Sequence, residues 1–166
     1  MIEKQIIAES DYRYIELGEG TPVVILHGLM GGLSNFEGVM NYFPSKGYKI
    51  LVPELPVYEL PLVNSTVKSL AKFLDGFLNF KKLKDVILLG NSLGGHIALL
   101  YAKYHPEMVK GLVITGSSGL YENAMGDIPM GAGLGGRSSN STCMIRLLDR
   151  LFSLNLPDEA AFKLTA

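Results

Sequence analysis

Ser92 stands in Gly90-Asn91-Ser92-Leu93-Gly94, a G-x-S-x-G stretch whose spacing suits nucleophilic catalysis. Val86-Ile87-Leu88-Leu89 runs into it as an apolar strand, and an apolar pattern of helical type follows from Leu93. Strand, tight turn and helix in that order make a nucleophile elbow, in which a strained turn pushes the serine hydroxyl clear of the sheet. Gly90 and Gly94 lack a Cβ where helix and strand backbones must pass closely. Leu93 would offer its backbone N–H at a helix N-terminus, where unpaired donors and the helix dipole favour a developing oxyanion.

Acyl transfer also needs a base for the hydroxyl proton and an acid to hold that base. The histidines are His27, His96 and His105. His27 follows a buried strand and is expected to structure its own loop. His96 lies one helical turn beyond Ser92, with its imidazole expected to point away from the hydroxyl. His105 is expected to cap the far end of that helix. None of the three is expected to serve as the base.

The elements that must position these groups follow from patterning. Two short strands are expected around Lys4 to Ala8 and Arg13 to Leu17, as a hairpin-like pair at a sheet edge. A buried strand, Val23 to Leu26, leads into His27-Gly28. Ser34 and Asn35 are N-cap candidates for a helix through about Tyr42, ended by Pro44 and Gly47. Tyr48 to Val52 is the next strand, and Pro53 to Pro61 forms a loop over the site. Ser65 or Thr66 caps a helix with apolar residues Val67, Leu70, Ala71, Leu74, Phe77 and Leu78 at 3.6-residue spacing. Lys81, Lys82 and Lys84 read as a solvated basic cluster at its end. The elbow helix spans Leu93 to Tyr104, and Leu112 to Thr115 is a sixth strand. Strands alternating with helices predict a doubly wound, mostly parallel α/β sheet.

Two motifs together, His27-Gly28-Leu29-Met30-Gly31 and Gly90-Asn91-Ser92-Leu93-Gly94-Gly95-His96, resemble the α/β-hydrolase superfamily, near its small bacterial esterase-like and C–C-bond hydrolase members. Val52-Pro53-Glu54-Leu55-Pro56, His105-Pro106-Glu107 and Gly116-Ser117-Ser118-Gly119-Leu120 are similar as well. The resemblance covers residues 1 to about 128. It implies that the Leu29 N–H is the second oxyanion donor beside that of Leu93. It implies a triad in the chain order serine, acid, histidine. Glu122 is then the acid candidate after the sixth strand, with Asp127 less well placed, and no histidine follows His105. The fold implied is a truncated α/β-hydrolase fold lacking its last strands, which would leave residues 111–115 as an exposed edge open to self-association.

The chain has 166 residues, the size of one domain, with 48% hydrophobic and 19% charged residues. A net charge of −1 gives no electrostatic case for nucleic acid or an anionic membrane. Cys143 is the sole cysteine and fits a reducing compartment, and with no leader pattern the expected location is cytoplasmic. Character changes after Ile128. Up to there the basic residues are ten Lys and one Arg, and afterwards three Arg and one Lys. Residues 1–128 therefore read as the core and 129–166 as an atypical tail, a Gly/Ser-rich loop from Met130 to Thr142 followed by short helices at Met144 to Leu154 and from Pro157. Gly131 to Gly136 matches G-x-G-x-x-G but neither follows a strand nor opens a helix, so no cofactor is expected, and no metal. Two functions stay open. One is a serine hydrolase of small ester or related acyl substrates, with nucleophile and oxyanion donors but no evident base. The other is a catalytically inactive fragment or frame-shifted product of such an enzyme.

Overall fold

A computed structural model describes residues 5–29, 33–57 and 66–117. Glu122, Asp127, the boundary at 128 and every expectation for the tail lie outside the described residues, as do Met30, Gly31 and Ser65.

Among the described residues, six strands form one mixed sheet in the order β1-β2-β4-β3-β5-β6. They are β1 (Ile7–Glu9), β2 (Tyr12–Leu17), β3 (Thr21–Leu26), β4 (Tyr48–Pro53), β5 (Val86–Asn91) and β6 (Val109–Thr115). The pairs β3–β4, β3–β5 and β5–β6 are parallel, whereas β1–β2 and β2–β4 are antiparallel. The hairpin-like pair is therefore present, but β1 begins later than Lys4. Its register, Ile7 opposite Tyr14 and Glu9 opposite Tyr12, is set by a tight turn in which Ser10 has φ 54°.

Burial follows the period of two that a doubly covered sheet demands. Val23 and Ile25 of β3, Ile50 and Val52 of β4, and Ile87 and Leu89 of β5 enter one core layer with Phe36, Val39, Met40 and Phe43. Val24, Leu26, Leu51, Val86 and Leu88 enter the opposite layer with α2 (Val67–Phe80) and α3 (Leu93–Tyr104). Removing each such side chain from water contributes about 1.5–3 kcal/mol. Tyr101 of α3 donates to Asp75 of α2 at 3.1 Å, tying the two helices together.

Thr66 caps α2 through Oγ1, which accepts from the Ser69 N–H at 3.1 Å. Leu70, Leu74, Phe77 and Leu78 of its apolar stripe are buried. The expected helix before Tyr42 differs. Leu33–Phe36 is a 3-10 turn, and α1 is only Glu37–Tyr42, with Phe36 at its N-cap and no side-chain cap bond. The physical reason is Phe36 itself: its ring is 1% exposed, and packing rather than capping sets where the helix begins.

The basic cluster after α2 also needs correction, because Lys81 is not solvated. Its Nζ lies 2.7 Å from Glu16 Oε2, donates to Tyr14 Oη at 3.0 Å, and sits 4.6 Å from the Tyr14 ring centre. Lys49 reaches the other Glu16 oxygen at 2.6 Å. Burial pushes the Glu16 carboxyl up, but the bonds from Lys49 and Lys81 outweigh it and hold the group below its ordinary value of 4.5. Burial likewise pulls Lys81 down, and its bonds to Glu16 and Tyr14 more than restore it, leaving it above 10.5. A depressed carboxyl stabilises the fold above its unfolded pKa and loses that contribution as pH falls through the folded one. Lys81→Met should thus cost about 1–2 kcal/mol in urea unfolding at neutral pH. The gap from the parent should narrow below pH 4.5, where Glu16 becomes protonated in the unfolded chain first. A gap that stays constant to pH 3 would show that packing of the lysine stem, and not its charge, matters.

Candidate active site

The parallel strands β3, β5 and β6 all deliver their C-terminal ends to one side of the sheet, the side on which ligands of open α/β sheets lie. The loop after β3 carries His27, Gly28 and Leu29. The turn after β5 carries Ser92, and the end of β6 carries Thr115.

Ser92 occupies a single-residue turn between β5 and α3 with φ 54° and ψ −116°. This is backbone that an L-residue rarely adopts, at a cost of about 1–3 kcal/mol. The conformation persists because its surroundings leave no alternative. The Ser92 N–H donates to the Thr115 carbonyl at 2.9 Å, and the Ser92 carbonyl accepts from the His96 N–H at 3.2 Å as the first bond of α3. A Cβ on Gly94 would collide with the Leu26 carbonyl and lie 2.8 Å from that of His27. One on Gly90 would meet the Gly94 carbonyl and lie 2.6 Å from the Gly95 Cα. Both glycines are needed where the sequence places them. The serine is exposed, whereas Gly94, Gly95, Ile97 and Ala98 behind it are buried.

The loop after β3 closes on this turn. A Cβ on Gly28 would stand 3.2 Å from Ser92 Cβ and 3.7 Å from its Oγ. His27 is held by the backbone on both sides of its ring. Nδ1 bonds to the Gly28 carbonyl at 2.9 Å, and Nε2 accepts the Leu55 N–H at 3.2 Å. Because Nε2 accepts, the ring proton sits on Nδ1, and the imidazole is a strut between the loops after β3 and β4. It structures its own loop, as its position implies.

Leu93, the first residue of α3, follows Ser92 directly, and Leu29 lies one residue beyond Gly28. His96 is half-buried, one turn along α3. His105 is the C-cap of that helix and stacks on Tyr101 with ring centres 4.6 Å apart. Twelve helical residues separate it from Ser92, a rise of about 18 Å. A hollow of about 370 Å³ lies at that distant end, lined among others by Lys68, Asp75, Tyr101 and His105, and is remote from the serine.

Sequence reasoning missed two of the contacts that build the turn, Thr115 to Ser92 and Leu55 to His27. Both use backbone groups of partners distant in the chain, which carry no residue-type signal. The first has a chemical consequence. Since the Ser92 N–H is committed to Thr115, any donor for an oxyanion must come from a neighbour.

Comparison with known proteins agrees with this architecture. The profile of a family described as the alpha/beta hydrolase fold matches residues 21–138. The chain is 28% identical over 136 residues to a 2-hydroxy-6-oxo-6-phenylhexa-2,4-dienoate hydrolase of Comamonas testosteroni, covering 78% of this chain and 48% of that protein. It is 35% identical over 111 residues to a 2-hydroxy-6-oxononadienedioate/2-hydroxy-6-oxononatrienedioate hydrolase of Pseudomonas putida, covering 62% and 39%. Among solved structures, an alpha/beta hydrolase enzyme from the metagenome of lagoon sediments at Mar Chica, Morocco, superposes with a TM-score of 0.68 at 61% identity, over 71% of this chain and 54% of that one. A Vigna radiata epoxide hydrolase mutant, at 23% identity and a TM-score of 0.63 over 72% and 40%, shares the fold. The chain spans about half the length of the relatives it matches. With its sheet order, its strained serine turn and a profile match over residues 21–138, the chain belongs to the α/β-hydrolase fold family.

Proposed function

We propose that the chain carries the nucleophile and oxyanion half of a serine hydrolase site acting on small ester or related acyl substrates, in keeping with the hydrolases among its relatives. Ser92 is the nucleophile, and the N–H groups of Leu93 and Leu29 receive the oxyanion. The observation that carries this reading is the Ser92 backbone, φ 54° and ψ −116°, with Gly28 against it. A serine in an ordinary βα turn has no reason to hold such a strained conformation.

A second reading, that this chain alone turns over little substrate, is favoured by its histidines. Both nitrogens of His27 are engaged by backbone, and His105 is a helix length away. That leaves neither of these two histidines to act as base for Ser92 Oγ.

Labelling with a fluorophosphonate probe tests both readings. Slow modification, mapped by mass spectrometry to Ser92 and abolished in Ser92→Ala, is the expected outcome. Rapid labelling would show that a base is present after all. Labelling undiminished by Ser92→Ala would remove the serine from the mechanism.

A further inference from the structure

We infer that His27 is a proton-sensitive latch: its neutral ring ties the loop after β3 to the loop after β4, and protonation releases the tie beside Ser92. The two ring nitrogens do different work. Nε2 accepts the Leu55 N–H at 3.2 Å, whereas Nδ1 donates to the Gly28 carbonyl at 2.9 Å. A backbone amide can only donate, so the first bond exists only while Nε2 keeps its lone pair. A second ring proton would occupy that lone pair and set two donors against each other. Nδ1 donates in either charge state, so the bond to Gly28 is indifferent to the change. The ring answers a proton at one end only.

Its neighbours determine which loop lets go. The loop after β4 has anchors that involve no imidazole. The Glu54 N–H donates to the Arg13 carbonyl of β2 at 2.8 Å, and Arg13 Nε lies 2.8 Å from Glu54 Oε2. The Val57 N–H closes on the Leu55 carbonyl at 2.7 Å. Leu55 is therefore held on both sides, and the loop after β3 departs with its own ring still bonded to Gly28. That loop stands against the nucleophile turn: Gly28 is buried, and a Cβ on it would be 3.2 Å from Ser92 Cβ. Release at Leu55 is thus felt at Ser92.

Exposure suits the device. The imidazole is half-buried, so protons reach it, while Leu55 is 4% exposed and its deserted N–H finds little water in exchange. Histidine is also the side chain whose charge ordinarily changes between about pH 5 and pH 8. Among the described residues, β3 and β5 carry no ionisable side chain. Glu54 is engaged by Arg13, Glu37 opens α1, and His96 lies on α3. Since His96 is a second imidazole near the turn, the readout must separate the rings. The latch stands on the two ring bonds, and its effect on Ser92 rests on the reading of that serine as the nucleophile.

Heteronuclear NMR on the full chain, from about pH 8 to about pH 5, tests the latch with each imidazole followed separately. At the upper end the His27 proton should sit on Nδ1. As the ring gains its second proton, exchange protection of the Leu55 amide should fall about tenfold, while Leu88 and Leu89 in β5 keep theirs. In His27→Gln, whose Oε1 accepts but does not titrate, Leu55 should stay protected across the range. The ratio of fluorophosphonate labelling at Ser92, parent to variant, should fall with the same midpoint. A ring proton on Nε2, a ring still neutral at the lower end, or a Leu55 amide indifferent to His27 would overturn the latch. A Leu55 step without a step in labelling would overturn its effect on Ser92. No labelling in either protein would reject Ser92 as the nucleophile, and the Leu55 amide would still decide the latch. Should the variant not fold, the parent's titration decides it alone.

Discussion

Gly94→Ala is expected to lower the stability of the chain by about 3 kcal/mol, the upper part of the range for an overpacked site. The added methyl would meet the carbonyl oxygens of Leu26 and His27, the latter at 2.8 Å. Those atoms end β3, which is paired with β4 on one side and β5 on the other and so cannot retreat. Relief would require α3 to lift, exposing Ile97, Ala98 and Tyr101, each at most 1% exposed. Gly111→Ala serves as the contrast. Its new Cβ would sit at ordinary contact distance, 3.5 Å from Ile87 Cγ1, and the change should cost less than about 1 kcal/mol. Urea midpoints of the two variants measure the difference. Equal midpoints would mean that the close crossing of helix and strand does not constrain the elbow.

Added imidazole is expected to accelerate acylation of Ser92 by an activated ester about 10²-fold, the lower bound of what a positioned base contributes. The strained turn exposes Ser92, and Leu93 opens α3 beside it, so under the proposed mechanism attack and oxyanion stabilisation would need no rearrangement. The proposal leaves proton removal unserved, and His27, locked between Gly28 and Leu55, is not free to provide it. In a serine protease, loss of the histidine leaves roughly 10³–10⁴ of catalysis over water from binding and the oxyanion hole, and a diffusible base should recover part of the remainder. The readout is the mass increment on the Ser92 peptide, with and without imidazole. Ser92→Ala should show neither increment nor rescue. A fast reaction without imidazole would mean that the chain provides its own base, and a slow one unmoved by imidazole would argue against Ser92 as the nucleophile.

Much of this site was legible in the residue order because its chemistry is local. The elbow needs a strand, two glycines four apart and a helix within fourteen residues, Val86 to Leu99, and each part has a pattern of its own. The stripe of α2 and its Thr66 cap were legible for the same reason. Lys81 was misread because its partners, Glu16 and Tyr14, lie across the sheet, and a lysine after a helix gives no sign of them. The helix before Tyr42 was misplaced because Ser34 and Asn35 have the chemistry of caps, whereas burial of the Phe36 ring governs the local path.

By itself the amino-acid sequence determined the alternation of strands and helices, the two core layers and the position of the strained serine. Each of these is written in periods of two or 3.6 residues, or in glycines where no side chain fits. Only the tertiary structure decided that the β2–β4 pairing is antiparallel, that His27 is a strut, and that the Ser92 N–H is spent on Thr115. The physical reason is that these outcomes rest on backbone groups and ion pairs joined across long loops. Every residue offers the same N–H and C=O, so their partners emerge only when the sheet has assembled.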